Sequence, residues 1–184
     1  VSAYLVLFLG GWPWLAVLLL AFITYPLFPG MTKKELDLIM DYPILVSNVA
    51  IGLVWAWLSF VLEQNAGMLC SFALAFAGHQ AMNSYVRLIL YHEKTEKAAM
   101  SRAAVKSFLF IIIPALTLRG FVYPQSFSPA VPVVMTAALG ISLAVVRIFN
   151  GKYDYSVADA RNGWRNAAVI FPLTLLVYLA ERVF

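Results

Sequence analysis

The chain has 184 residues, of which 62% are hydrophobic and only 12% charged, with a mean hydropathy of +0.83. A soluble domain carries about twice that charged fraction, so a water-soluble globule is excluded: one small core cannot hide this much apolar surface, and lipid must cover it. The net charge of +4 and pI near 9.3 do not indicate nucleic acid, because the basic residues flank long apolar runs, as topogenic and headgroup-facing residues do.

The expected fold class is all-α, a polytopic transmembrane helix bundle forming one domain over residues 1–184. Six stretches are long enough to cross a hydrocarbon layer of roughly 30 Å as helices: Tyr4–Phe28, Ile44–Leu62, Gly67–Leu90, Val105–Val122, Pro129–Phe149 and Ala167–Phe184. Helix is the default because an open sheet would leave backbone groups unpaired in lipid. The fourth stretch is interrupted by Pro114 and the sixth closes on Glu181-Arg182, so a five-span arrangement with one terminal run in the membrane plane is the alternative.

The first stretch is preceded by no basic residue and is longer than the apolar core of a cleaved signal, so it reads as retained. Its Gly10-Gly11-Trp12-Pro13-Trp14 sequence reads either as a kink or as a frayed outer end. Next comes Met31–Asp41, where Thr32 and Glu35 have capping-box spacing and Leu36, Ile39 and Met40 share a face. That pattern predicts a short interfacial helix ending before Pro43.

Glu63-Gln64-Asn65 makes a tight turn into the third stretch. The segment His92–Lys106 contains helix formers and no Gly or Pro, with Glu93 and Lys97 four apart, so it extends the flanking helices beyond the membrane. Tyr123–Pro129 is a Pro-bounded turn. Asn150-Gly151 opens the last connection, and the pair Ser156 and Asp159 caps a helix running through Trp164 and Arg165. Trp12, Trp14, Trp55 and Trp57 are suited to a membrane interface.

Lys33 and Lys34 follow the first stretch; Arg87, Lys94, Lys97, Arg102 and Lys106 surround the third gap; Arg147, Lys152, Arg161 and Arg165 surround the fifth. Of the 13 basic residues only Arg119 and Arg182 fall on the other side. The positive-inside rule then puts the first, third and fifth connections in the cytoplasm and both termini outside, in a cell inner membrane or its equivalent.

The strongest polar constellation is in the third stretch. His79, Asn83 and Arg87 recur every four residues and so share one helical face, with Gln80 and Ser84 beside them and Gly78 permitting close helix approach. Ionisable groups inside a membrane face the bundle or a water path. The stripe therefore reads either as a polar pathway for a proton, ion or anion, or as helix–helix glue with Arg87 reaching toward the headgroups. Thr136, Gly140 and Ala144 form a small-residue stripe suited to a helix interface, within the chain or between subunits. Arg119 is displaced from the orienting set, and with Arg161 and Arg165 is a candidate lipid or anion contact.

Metal chemistry finds no support. The two histidines, His79 and His92, stand roughly 19 Å apart along a continuous helix and cannot share an ion. Cys70 is the lone cysteine, which rules out an intrachain disulfide and reads as a packing residue. No metal and no cofactor is expected. No stretch carries a carboxylate near its middle, which weighs against cation coupling through a central acid and against aspartyl protease chemistry. Ser71, Ser84 and Ser142 have no recognisable base beside them. The expected function is a structural or assembly subunit of a membrane complex. Its partners are membrane lipids and either other membrane subunits or further copies of the chain. The alternatives are a small channel or transporter built on the His79/Asn83/Arg87 stripe, and a lipid-modifying enzyme.

Overall fold

The computed structural model describes residues 2–27, 42–63, 65–89, 95–124, 128–149 and 160–183. Among them the regular structure is helical throughout, without strands: α1 (Ser2–Gly10), α2 (Trp12–Leu27), α3 (Tyr42–Val61), α4 (Asn65–Arg87), α5 (Glu96–Val122), α6 (Ala130–Phe149) and α7 (Ala160–Val183). Helices long and apolar enough to cross a membrane are α5, α6 and the Gly163–Val183 part of α7, with shorter apolar stretches at Trp12–Thr24 and Val49–Val61.

Local chemistry explains where these elements depart from the six expected stretches. The first is divided at Gly11, whose φ of +80° lies in the left-handed region that glycine enters without a Cβ penalty. The Gly-Gly-Trp-Pro-Trp sequence is therefore a kink, and the hydrogen bonds Gly11 N–H to Leu7 O (3.0 Å) and Leu15 N–H to Gly11 O (3.3 Å) carry the chain across it. Trp14 packs directly over Gly10, where a Cβ would lie 2.4 Å from the indole.

The helix of the fourth stretch, α5, starts at Glu96, not Val105, capped by Thr95, whose hydroxyl accepts from Ala98 N–H at 3.3 Å. Pro114 does not end it. The proline has no N–H to donate, and the ladder widens into a π-helical segment, Phe108–Ile112, with Ile113 N–H bonded to Phe108 O. The final helix starts at Ala160, not Ala167, and Pro172 lies well inside it. The predicted helix after Thr32, the Glu93–Lys97 pair, the Asn150-Gly151 turn, the Ser156/Asp159 cap and the centre of the Tyr123–Pro129 turn lie outside the described residues.

The organising element is α4. From Met68 to Met82 every residue is buried, and α2, α3, α5, α6 and α7 all pack on it. A helix buried all round needs small residues where neighbours cross. Gly78 has Ile170 of α7 against it, a Cβ there falling 3.0 Å from the Ile170 side chain, while Gly52 of α3 lies under the Phe76 ring. Side-chain contacts fix the directions. Trp55 (α3) and Ser71 (α4) both meet Thr174 (α7), whereas Asn83 meets Asn166. Helix α7 thus runs antiparallel to α4. Helix α5 does too, since Lys106 meets Ser84 and Arg119 lies by Cys70; α2 runs parallel, with Trp14 on Phe72 and Thr24 on Gln80. Leu27, Tyr42, Arg87, Glu96, Phe149 and Ala160 therefore gather toward one end of the bundle, the end from which the basic connections depart. Below it is called the basic end, and the opposite one the Cys70 end.

Candidate functional site: polar levels along the central helix

Four polar levels succeed one another along α4. Nearest the Cys70 end, Arg119 and Glu181 form an ion pair, Nε to Oε1, of 3.1 Å with side chains only 1% and 2% exposed. Arg119 stands in the last turn of α5, where its charge suits the negative end of the helix dipole, and it also donates to the Tyr123 carbonyl just beyond the helix. Glu181, near the C-terminus of α7, has the opposite and unfavourable relation to its own helix and depends on Arg119 for compensation. The Cys70 thiol lies against the Glu181 carboxylate. The Arg119 guanidinium sits 5.7 Å from the Tyr123 ring centroid. Burial pushes the Tyr123 phenol above its ordinary range, and the Arg119 charge opposes that shift.

The second level is a relay of neutral hydrogen bonds. Trp55 Nε1–H donates to Thr174 Oγ1 at 2.8 Å, the Thr174 hydroxyl donates to Phe171 O at 2.7 Å, and the Ser71 hydroxyl donates to Thr174 O at 2.9 Å. Three helices are tied here with no charge. Beyond it α4 is apolar through Phe72-Ala-Leu-Ala-Phe-Ala77, and Phe72 packs tilted against Trp14 and edge-on against Phe76, with ring centroids 4.7 and 5.0 Å apart.

The third level contains the residues that the sequence singled out. His79 is buried, and its Nδ1 donates to Ala75 O at 2.8 Å. Because a carbonyl can only accept, neutral His79 carries its proton on Nδ1, leaving an open lone pair on Nε2. A second backbone hydrogen-bonding group, at Gly163 of α7, also faces the ring, and Nε2 makes no close hydrogen bond among the described residues. Gln80 turns to α2, its Nε2 donating to Thr24 Oγ1 at 3.3 Å; Asn83 turns to α7 and accepts from Asn166 Nδ2 at 3.1 Å. His79 and Asn83, aligned on one helical face, thus both face α7, whereas Gln80 beside them serves α2.

At the basic end, Lys106 Nζ lies 3.4 Å from Ser84 Oγ, and both Lys106 and Arg87 are buried. Farther out, Arg147 and Glu96 make an exposed ion pair of 3.0 Å, a contact of small energetic weight. Arg165 is exposed; Arg161 belongs to α7, but its side chain is outside the described residues. Thr136, Gly140 and Ala144 all lie on the outer face of α6. Its inner face is made by Val131, Met135, Ala138, Leu139, Ser142, Leu143 and Val146, and a Cβ on Gly140 would meet nothing. Of the four tryptophans considered above, Trp14 and Trp55 are core residues, while Trp12 and Trp57 are exposed.

Sequence reasoning passed over Lys106, Ser107, Thr174 and Glu181. A signal existed for each. Ala99, Ala103, Lys106 and Ser107 follow the spacing of one buried helical face, as do Thr174, Val177 and Glu181. No group of three or more His, Cys, Asp or Glu arranged to hold a metal ion occurs among the described residues. Compared with protein-family models, curated proteins and solved structures, the chain matches none of them.

Proposed function

We propose that the chain is an integral membrane structural or assembly subunit, crossing an inner-type membrane six times with both termini outside, and packing against other subunits or further copies through its apolar helices. The observation that carries this reading is the way α4 uses its polar groups. Ser71, Gln80, Asn83 and Ser84 each bond a residue of another helix, so the polar side chains of the central helix serve cohesion. The Phe72–Ala77 segment is an apolar barrier between the polar levels. The outward small-residue face of α6 further supports a packing role, since backbones approach closely across such faces.

One observation favours a second reading, a small channel or transporter: the buried His79 ring in the middle part of α4, whose Nε2 makes no close hydrogen bond among the described residues. Reconstitution separates the two. Under the structural reading, vesicles containing the purified chain pass no protons, monovalent ions or small solutes, and His79→Ala and Asn83→Ala lower the yield of assembled protein only. A solute flux abolished by His79→Ala at unchanged protein level would replace the structural reading with the transport one.

A further inference from the structure

We propose that the outward-facing arc of α5, α6 and α7 at the basic end is a docking surface for anionic lipid headgroups, which meet it at Lys97, Arg102, Arg147 and Arg165. Burial divides the basic residues of that end into two sets. Arg87 and Lys106 are turned into the bundle, whereas Lys97, Arg102, Arg147 and Arg165 are exposed. The exposed set lies on neighbouring helices: Arg147 of α6 pairs with Glu96 of α5 at 3.0 Å, and α6 packs on α7. Among the described residues, the exposed charges here are four basic and one acidic, Glu96. Those of the Cys70 end are Glu63 and Arg182, which cancel. One end of the bundle therefore attracts anions and the other does not.

The depths of these residues match a lipid headgroup layer. Lys106 meets Ser84 and Asn166 meets Asn83, so Arg102 and Arg165 stand within about two helical turns of one another along the bundle axis. Each adjoins exposed apolar surface. Val105, on the membrane side of Arg102, is 51% exposed, and Trp164, next to Arg165, is 53% exposed. Side chains of these two kinds, side by side, suit the boundary between hydrocarbon and headgroups. Lys97 precedes Arg102 on the same helix and lies about 7.5 Å farther out, while Arg147 reaches that outer level through Glu96. The polar layer on each side of a bilayer is about 5–8 Å thick, so the four charges extend through it. An anionic lipid supplies both the phosphate that these cations attract and the acyl chains that cover Val105 and Trp164. An acidic protein segment supplies only the negative charge.

The full chain is placed in nanodiscs holding equal amounts of phosphatidylglycerol and phosphatidylcholine, and the lipids that stay with it are counted by native mass spectrometry. Phosphatidylglycerol is expected to be retained about fivefold over phosphatidylcholine at low salt, the preference that one Lys or Arg near an anionic surface confers. That lead disappears near 1 M salt, where charges are screened within about 3 Å. Combining Lys97→Gln, Arg102→Gln, Arg147→Gln and Arg165→Gln abolishes it, whereas Arg182→Gln at the Cys70 end keeps it. Equal retention of the two lipids by the wild-type chain overturns the proposal, as does a preference that survives the four substitutions. Should the fourfold variant fold poorly, the wild-type chain decides alone, since a preference persisting at 1 M salt also overturns the proposal. Capture of a polyglutamate peptide on pure phosphatidylcholine discs, without any lipid preference, assigns the arc to an acidic protein segment instead. The proposal names the lipid partner of the membrane subunit described above and rests on that reading only for the presence of a bilayer. Lipid retention and solute flux are separate measurements, so either reading can fail without the other.

Discussion

Arg119 and Glu181 form the most costly contact in the bundle to leave half-made. Both side chains are almost fully buried, so the pair gives up its hydration twice and recovers it once, through their mutual attraction and the bond to the Tyr123 carbonyl. The net worth of the intact pair is small, but a lone survivor is expensive. We expect Arg119→Ala or Glu181→Ala to lower stability by about 3–5 kcal/mol, whereas Arg119→Met combined with Glu181→Leu stays close to wild type. Thermal unfolding of the four purified proteins in one detergent checks this; a double variant as weak as either single one shows that the pair itself supplies net stability. The two partners were not equally legible in the sequence. Arg119 stood out because it broke the charge pattern. Glu181 was discounted for lying near a helix end, since distance along the chain from a terminus says nothing about which helix packs over it.

At the scale of elements, α7 crosses closely over α4 at Gly78. A methyl group there presses on Ile170 at 3.0–3.1 Å, and anything larger must separate the two helices or distort them. Gly78→Leu should destabilise the protein by about 1–3 kcal/mol, and Ile170→Ala introduced with it should restore part of the loss by vacating that volume. Melting temperatures of the single and double variants measure the coupling, and strictly additive losses would show that these residues do not share the crossing. Element positions were largely readable, because long apolar runs have few alternatives to helix in lipid. Their ends were less so. The first turns of α5, Glu96 to Arg102, are polar and project past the apolar stretch, so hydropathy locates the helix too late. Pro114 reads in sequence as an interruption, yet both it and Pro172 are accommodated inside a helix, the first by widening the turn before it. The partners of α4 could not be read at all, because Gln80 and Asn83 meet residues far away in sequence.

For the whole molecule, the helix directions and the charge pattern make one joint prediction about orientation. With Cys70 replaced by Ala, a single cysteine at Pro124 should react with a membrane-impermeant thiol reagent added to intact cells, and one at Lys97 only after the membrane is opened. Both positions are exposed in the bundle, so a lack of reaction reports sidedness rather than burial. Labelling in the reverse order would invert the proposed orientation.

The enclosure of α4 also constrains how the protein is made. This helix lies at the centre of the bundle, yet it is not among those apolar enough to cross a membrane alone, because His79, Gln80 and Asn83 burden its second half. Synthesis delivers it before three of the helices that wrap it, α5, α6 and α7, exist. Until those arrive, α4 has only α2 and α3 to shield its polar groups, and lipid is a poor substitute. We expect the nascent chain to wait, with its future core held by the insertion machinery or at the membrane surface. The native thiol can report this. Cys70 is buried in the folded bundle and is expected to resist thiol reagents there, while in a fragment stopped after Ile89 it should react readily. Equal protection in both would mean that α4 enters the membrane without its later neighbours, and that the bundle is assembled outward from its centre rather than closed around it at the end.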